Sequence, residues 1–228
     1  MKNSLLLVCD KWVRVLYNAL SHLVFPCCCT HCHKLLDKRT IFCDSCQHMI
    51  RPIVSSSIQL TETRSMKVIA VSAYADPIRP LILAKRRSDK RAGSLLGHLI
   101  CDLTIFPTIP ADYIVPVPLH WSRYTRRGFN QAEEIAKVLA RKKGTPLAKL
   151  LKRIKKTEFQ AGLSAQQRTF NVQEAFELIE CDIDRYKNKH IILVDDLLTT
   201  GSTVKAAAKV LLQVKPASIT IVVAARVV

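Results

Sequence analysis

The clearest hydrophobic signal lies in the C-terminal half of the chain. His190–Val194 (HIILV) and Ser218–Val227 (SITIVVAARV) are near-continuous apolar runs. Runs rich in Val and Ile, with no polar face, read as strands covered on both sides, as in a parallel sheet. Between them, Ser202–Lys215 repeats its apolar positions at helical spacing. Upstream, Asp112–Leu119 is a short apolar strand, and Phe129–Lys143 is a helix ended by Gly144. Met66–Tyr74 alternates loosely as a further strand. Pro77 opens a helical segment to Arg87, and Ala92–Ile105 is a second one, stopped by Pro107 and Pro110. The pattern predicts an α/β domain over 67–228, a parallel sheet with helices on both faces.

The N-terminal part differs. Residues 4–24 place Leu5, Val8, Trp12, Val15, Leu16, Ala19, Leu20 and Leu23 near helical spacing, which predicts an amphipathic helix within 1–24 packed on the body. Contact with a membrane surface is the alternative. Asp10, Lys11 and Arg14 interrupt the apolar run too early for a secretory signal. No window reaches the roughly 18–20 apolar residues of a membrane span, so a cytoplasmic location is expected. Residues 25–51 read as a small cysteine-rich unit. Residues 52–66, rich in Ser and Thr and opened by Pro52, read as a linker.

Charge changes this picture. Thirty-five Lys+Arg against eighteen Asp+Glu give a net +17. Arg123 to Lys156 holds twelve basic residues against Glu133 and Glu134, and Lys85–Arg91 adds a second basic run. Clustering of this kind suits a polyanionic partner, a nucleic acid or a phosphorylated metabolite; a solvated basic surface is the competing reading. The nucleic-acid candidates are Lys85, Arg86, Arg87, Tyr124, Arg126, Arg127, Lys142, Lys143, Lys152, Arg153, Lys155 and Lys156. Trp121, Tyr124 and Phe129 lie among Arg123, Arg126 and Arg127, as bases stacked on aromatics in a basic groove would require. Core packing is the other use for Phe129.

Six of the nine cysteines fall between Cys27 and Cys46. Cys29-x-x-Cys32 and Cys43-x-x-Cys46, with ten residues between them, are spaced to give four thiolates to a tetrahedral structural zinc. A disulfide framework competes, but suits an oxidising compartment. Cys27, Cys28, His31 and His33 are near enough to replace a ligand of the first pair. Cys9, Cys101 and Cys181, each among apolar neighbours, read as small core residues.

The chemistry concentrates at the carboxyl end of the 190–194 strand. Asp195 and Asp196 precede Leu198, Thr199, Thr200, Gly201, Ser202 and Thr203, which open the next helix. Hydroxyls, a glycine and helix-start amides form an anion cradle, at the sheet edge where α/β proteins collect ligands. Two carboxylates would repel a bare phosphate, but they accept hydrogen bonds from hydroxyls. A ribose 5-phosphate satisfies both halves. A capped helix alone needs one such residue, not this whole set.

Val194-Asp195-Asp196-x-x-Thr199-Thr200-Gly201-Ser202-Thr203 resembles the phosphoribosyl pyrophosphate signature of type I phosphoribosyltransferases. The match narrows with the paired cysteine knuckle, Ala84-Lys85-Arg86, Val115-Pro116-Val117-Pro118-Leu119-His120, Arg127-Gly128-Phe129-Asn130-Gln131, Gln160-Ala161-Gly162-Leu163, Arg168, Asn171, Ala175 and Phe176. Together they resemble the ComF/GntX family over nearly all of residues 25–228. The resemblance implies a zinc finger joined to a phosphoribosyltransferase-like domain, associated with natural competence and incoming single-stranded DNA. Asp195 and Asp196 would hold the ribose as the catalytic acids, Thr199 to Thr203 the 5-phosphate, and Mg²⁺ would accompany the diphosphate. Many relatives carry a second cysteine pair that this chain lacks between Cys46 and Cys101, which implies a single zinc.

Three functions follow. A transferase would use Arg123, Arg126 and Arg127, expected on a loop, to neutralise a pyrophosphate leaving group, with an acceptor the sequence does not reveal. A DNA-binding protein would keep the pocket as a ligand site. An accessory protein would dock a helicase or a recombination or uptake partner through its knuckle.

Overall fold

Strands β6 (His190–Leu198) and β7 (Ser218–Arg226) form the centre of a five-stranded sheet. Their apolar runs explain the position: Ile191 to Val194 and Ile221 to Ala225 are each at most 1% exposed. Side chains that fill both faces of a strand are tolerated only where both faces are covered. β2 (Ser65–Ala73) pairs with β7, and β3 (Tyr113–Pro116) with β6, all four strands running parallel. Pro116, which has no N–H to donate, lies on an edge strand, where the loss is harmless. β1 (Ser56–Gln59) closes the other edge antiparallel to β2, giving the order β1-β2-β7-β6-β3.

The computed structural model describes residues 27–38, 40–51, 53, 56–155 and 175–227. The expected helix at 4–24, Cys9, Lys156, the 160–163 motif, Arg168 and Asn171 lie outside the described residues, as does the side chain of Arg87.

Helices cover both faces, as the apolar runs predicted. On one face lie α2 (Ile78–Leu83), α3 (Lys90–Leu103) and α5 (Gln131–Lys143). α3 packs closely on α5 through two glycines: a Cβ at Gly93 would come within 2.7 Å of Glu134 Cβ, and one at Gly97 within 2.7 Å of Val138 Cβ. On the other face α6 (Ser202–Leu211) joins a separate antiparallel pair, β4 (Leu151–Arg153) with β5 (Phe176–Leu178). The side chains of Asp89 and Asn130 cap α3 and α5, accepting from the Arg91 and Ala132 amides.

Three differences from the sequence pattern bear on the site. The stretch 52–66, expected as a linker, contains β1, whose Ile58 is half-buried against the core. The strand expected over 190–194 runs on to Leu198, so both acids lie within the ladder. The segment after Pro118, expected as a loop, forms helix α4 (Trp121–Arg127), with the His120 ring accepting from the Ser122 amide and Gly128 ending it at φ 74°. Cys101 and Cys181 are half-buried, and Cys181 packs against the core.

The cysteine-rich residues belong to a separate unit, Met1–Met49, described from residue 27. Cys28 bridges to Leu35, the Cys29 amide donates to Lys34 (2.9 Å), and His33 turns the knuckle at φ 60°. A short helix, α1 (Asp44–His48), carries the second pair of cysteines. Phe42, 2% exposed, is its buried hydrophobic anchor.

Candidate functional site

Successive residues of a strand point to opposite faces of the sheet. At the carboxyl end of β6 this places Asp195 on the face of α6 and β4, and Asp196 on the face of α2 and α3. The acid pair thus straddles the sheet end and is met by cations from both sides. Lys85, on the 3₁₀ turn Ala84–Arg87 that follows α2, forms an ion pair with Asp196. Arg127 of α4 lies in the field of Asp196, and Arg153 of β4 in that of Asp195. Burial first, and the charge of Arg123 second, lower both the Arg127 and the Arg153 guanidiniums. Arg86 adds to the same field at Arg127.

Asp195 differs from an ordinary surface acid. Burial first, and the charge of Asp196 second, push its carboxyl up to about 8, while its hydrogen bond from the Asp196 amide (2.8 Å) and the nearby Lys85 work the other way. Two adjacent acids in a low-dielectric site cannot both ionise freely, and only one has an ammonium partner.

The loop beyond the acids turns tightly into α6. Gly201 is buried, N-caps α6 at φ 79° and sits under Ile58: a Cβ there would lie 3.3 Å from Ile58 Cδ1. The left-handed backbone favours glycine. Thr199 and Thr200 are exposed, and the Thr200 and Ser202 hydroxyls are hydrogen-bonded at 3.1 Å. Leu198, expected within the phosphate-binding set, packs its side chain in the core at 2% exposure, leaving only its backbone at the loop.

The arginines expected to act as one group divide on α4. Arg123 and Arg127, four residues apart, are half-buried, whereas Arg126 is exposed. Among the aromatics, Phe129 is a core residue at 3% exposure, while Trp121 and Tyr124 are 69% and 48% exposed. Lys142 and Lys143 end α5 at the opposite edge of the sheet. The Lys143 ammonium donates to the Pro107 carbonyl (2.8 Å), just ahead of β3. Lys152 pairs with Glu177 (2.8 Å), and Lys155 is exposed beyond β4.

In the N-terminal unit, the sulfurs of Cys29, Cys32, Cys43 and Cys46 all lie within 4.8 Å of one another. His31 Nδ1 lies 3.3 Å from Cys46 Sγ, beside this group rather than within it. Burial opposes ionisation of Cys29, but amides of Cys32, Cys43 and His31 outweigh it and bring the thiol down to about 6. Burial and the three neighbouring sulfurs push Cys46 up to about 12. Four thiolates this close repel one another unless a cation stands between them. Soft sulfur donors in this number fit a metal such as zinc.

Residues 125–227 match the phosphoribosyl transferase domain family. Competence protein F of Haemophilus influenzae is 30% identical over 218 residues, 92% of this chain and 85% of that protein. DNA utilization protein YhgH of Escherichia coli is 35% identical over 155 residues, 64% of this chain and 66% of that one. Competence protein ComFC of Bacillus subtilis is 38% identical over 104 residues, 44% of this chain and 38% of that one. The chain belongs to the ComF family of phosphoribosyltransferase-type proteins.

Within this ComF-family chain the family-wide match begins at residue 125, yet Lys85, which pairs with Asp196, and Arg86, whose charge reaches Arg127, come from well before it. Both were expected at a nucleic-acid surface, not beside the acids. Their sequence offers only a basic run, and no local spacing ties Lys85 to a partner 111 positions away. Among the described residues, no helix is long and apolar enough to cross a membrane.

Proposed function

We propose that this protein is a ComF-like factor of DNA uptake that binds single-stranded DNA in the cytoplasm and holds phosphoribosyl pyrophosphate, or a related ribose 5-phosphate, at the end of β6. The observation that carries the reading is the acid pair at the end of β6, followed by the tight turn into α6 and met by Lys85 and Arg127 at Asp196 and by Arg153 at Asp195. Carboxylates accept the ribose hydroxyls, the 199–203 loop takes the 5-phosphate, and the cations face a diphosphate at the anomeric carbon. Mg²⁺ would arrive on the diphosphate oxygens, held mainly by ligand and water. The four cysteines would hold zinc as a structural ion, since a closed thiolate shell leaves no position for substrate. The names of the relatives, competence and DNA utilization proteins, favour DNA as the partner. A helicase or recombination protein fits the same setting.

A second reading is favoured by the convergence of arginines on the acids. In an active phosphoribosyltransferase, an acceptor atom would form the new bond to ribose C1 as the bond to pyrophosphate breaks, and these cations would neutralise the departing oxygens.

Calorimetric titration with phosphoribosyl pyrophosphate and Mg²⁺ tests the pocket. Saturable binding is expected. Asp195→Asn with Asp196→Asn should weaken it at least tenfold, because a hydrogen bond to the charged, Lys85-paired Asp196 carboxylate is alone worth about 1.5–3 kcal/mol. Binding unchanged in the double variant rejects the site. Pyrophosphate release in the presence of nucleobases separates the transferase from the binder.

A further inference from the structure

Asn130 and Gln131, at the start of α5, each send a side-chain amide to a different segment. Asn130 Oδ1 accepts from the Ala132 amide as the helix cap, and its Nδ2 donates to the Val117 carbonyl (2.9 Å). Gln131 Nε2 donates to the Leu81 carbonyl (3.1 Å), fifty positions earlier. Leu81 lies in the last turn of α2, where carbonyls run short of helical amide donors. Both contacts lead to the acid pair. The Val117 amide donates to the Val194 carbonyl (2.9 Å), one residue before Asp195. Lys85, one turn beyond Leu81, pairs with Asp196. The two acids are thus joined by a closed path, out through β3, across Asn130 and Gln131, and back through α2 to Lys85. Helix α4, which follows Val117 closely in the chain, packs against the same Ala84–Arg87 turn.

Packing alone does not account for Gln131. It is 5% exposed, and a Cβ at Gly93 would stand 3.6 Å from its Cγ, so α3 closes on its stem. The Leu81 carbonyl can only accept, which turns Nε2 toward it. Oε1 is left buried with no hydrogen-bond partner among the described residues. A stranded buried acceptor is a cost that an apolar side chain of the same shape would not carry. What the amide adds is a donor, and the donor fixes where α2 ends.

We propose that Asn130 and Gln131 are positioning residues whose side-chain amides set the Lys85 turn and the β3–α4 junction relative to one another, and so hold the Lys85 ammonium and the α4 guanidiniums where a diphosphate is bound. The proposal rests on the reading of the pocket given above and adds the device that brings cations from remote parts of the sequence to one place. Lys85 is a point charge on a flexible four-carbon stem, so its place at Asp196 depends on where its backbone is held. The groups for ribose 5-phosphate lie on β6 and its turn into α6, outside the bracket.

The test uses the full-length protein and two variants of nearly unchanged shape. Asn130→Asp keeps the helix cap and loses the donor to Val117, and Gln131→Met keeps the volume and loses the donor to Leu81. By calorimetry with Mg²⁺ present, each should weaken phosphoribosyl pyrophosphate about fivefold or more while ribose 5-phosphate stays within about twofold. Gln131→Met should melt no lower than wild type. In a Lys85→Ala background, Gln131→Met should cost less than about twofold further, because it acts through Lys85. Unchanged phosphoribosyl pyrophosphate affinity, equal losses for the two ligands, or losses that add in the double variant overturn the proposal. Without ligand, acylation by an N-hydroxysuccinimide ester, read by mass spectrometry, should modify Lys85 about threefold faster or more in Gln131→Met than in wild type. Exposed Lys142 serves as the control and should be acylated at the same rate in both. An unchanged Lys85 rate overturns the proposal even where the pocket binds both ligands. A faster Lys85 rate in a protein whose wild type binds neither ligand rejects the pocket reading, while the bracket that seats Lys85 on Asp196 stands.

Discussion

Asp195 is the residue whose chemistry the fold alters most. Burial and the charge of Asp196 raise it from the ordinary aspartate value near ~3.9 to about 8. A group with a raised folded-state value contributes stability that is complete below its unfolded value and is lost as pH climbs through the folded one. Between about pH 4 and pH 8 the unfolded chain therefore gives up this proton while the folded chain keeps it, and folding becomes progressively less favoured. Asp195→Asn has no such proton to lose. The urea midpoint of the variant, relative to wild type, should rise steadily from pH 5 to pH 8.5. A difference that stays constant over that range would show that Asp195 titrates as an ordinary surface acid. Lys85 belongs to the same balance: its ion pair with Asp196 places the fixed cation on one acid only. Nothing in the local sequence could show this, because one-residue alternation sends two adjacent acids to different faces and to different partners.

At the scale of elements, the parts that were legible are those whose pattern and burial agree. β6, β7 and α6 show their apolar character on every core position, and the T-T-G-S-T turn between β6 and α6 needs its glycine at φ 79°. β1 was hidden because an edge strand with one face in water reads as a polar linker, Ser56-Ser57-Ile58-Gln59 carrying a single apolar side chain. α4 was hidden because its seven residues bury no side chain fully, so no periodicity marks it. The cysteine knuckle is the opposite case: its spacing was legible while its hydrophobic support is minimal. Among the described residues of that unit, only Cys29, Phe42 and Cys46 are buried. A metal held by the four thiolates would add folding energy to this small unit. About one zinc per chain is expected by atomic emission, and stripping it with a chelator should make the four thiols reactive to a disulfide reagent. Cys43→Ser should lose the zinc without chelation. Thiols that remain unreactive in metal-free protein would mean that the knuckle holds itself together.

Across the whole molecule, the excess charge that the sequence suggested was one polyanion surface is divided by the sheet. Lys85, Arg123, Arg126, Arg127 and Arg153 gather at the carboxyl edge, whereas Lys142 and Lys143 sit at the amino edge, by Pro107 and the start of β3. Sequence proximity misleads here, because α5 runs the length of the sheet between Asn130 and Gly144 and carries its last turn away from its first. Along β6 the strand rises about 3.3 Å per residue, so the two edges are separated by roughly 20 Å, more than two screening lengths of about 8 Å at physiological salt. Charges that far apart act on a bound strand almost independently. Lys143 is further committed by its hydrogen bond to Pro107 and its place 5.3 Å over the Phe106 ring. Reversing Arg126 to Glu should therefore weaken oligothymidylate binding and lower the steepness of its salt dependence by about one phosphate contact or more. Reversing Lys142 to Glu should change affinity less than twofold and leave the salt slope unaltered. Equal losses from the two reversals would place the strand along the whole basic surface rather than at the carboxyl edge, with its track running from α4 down the outside of α5.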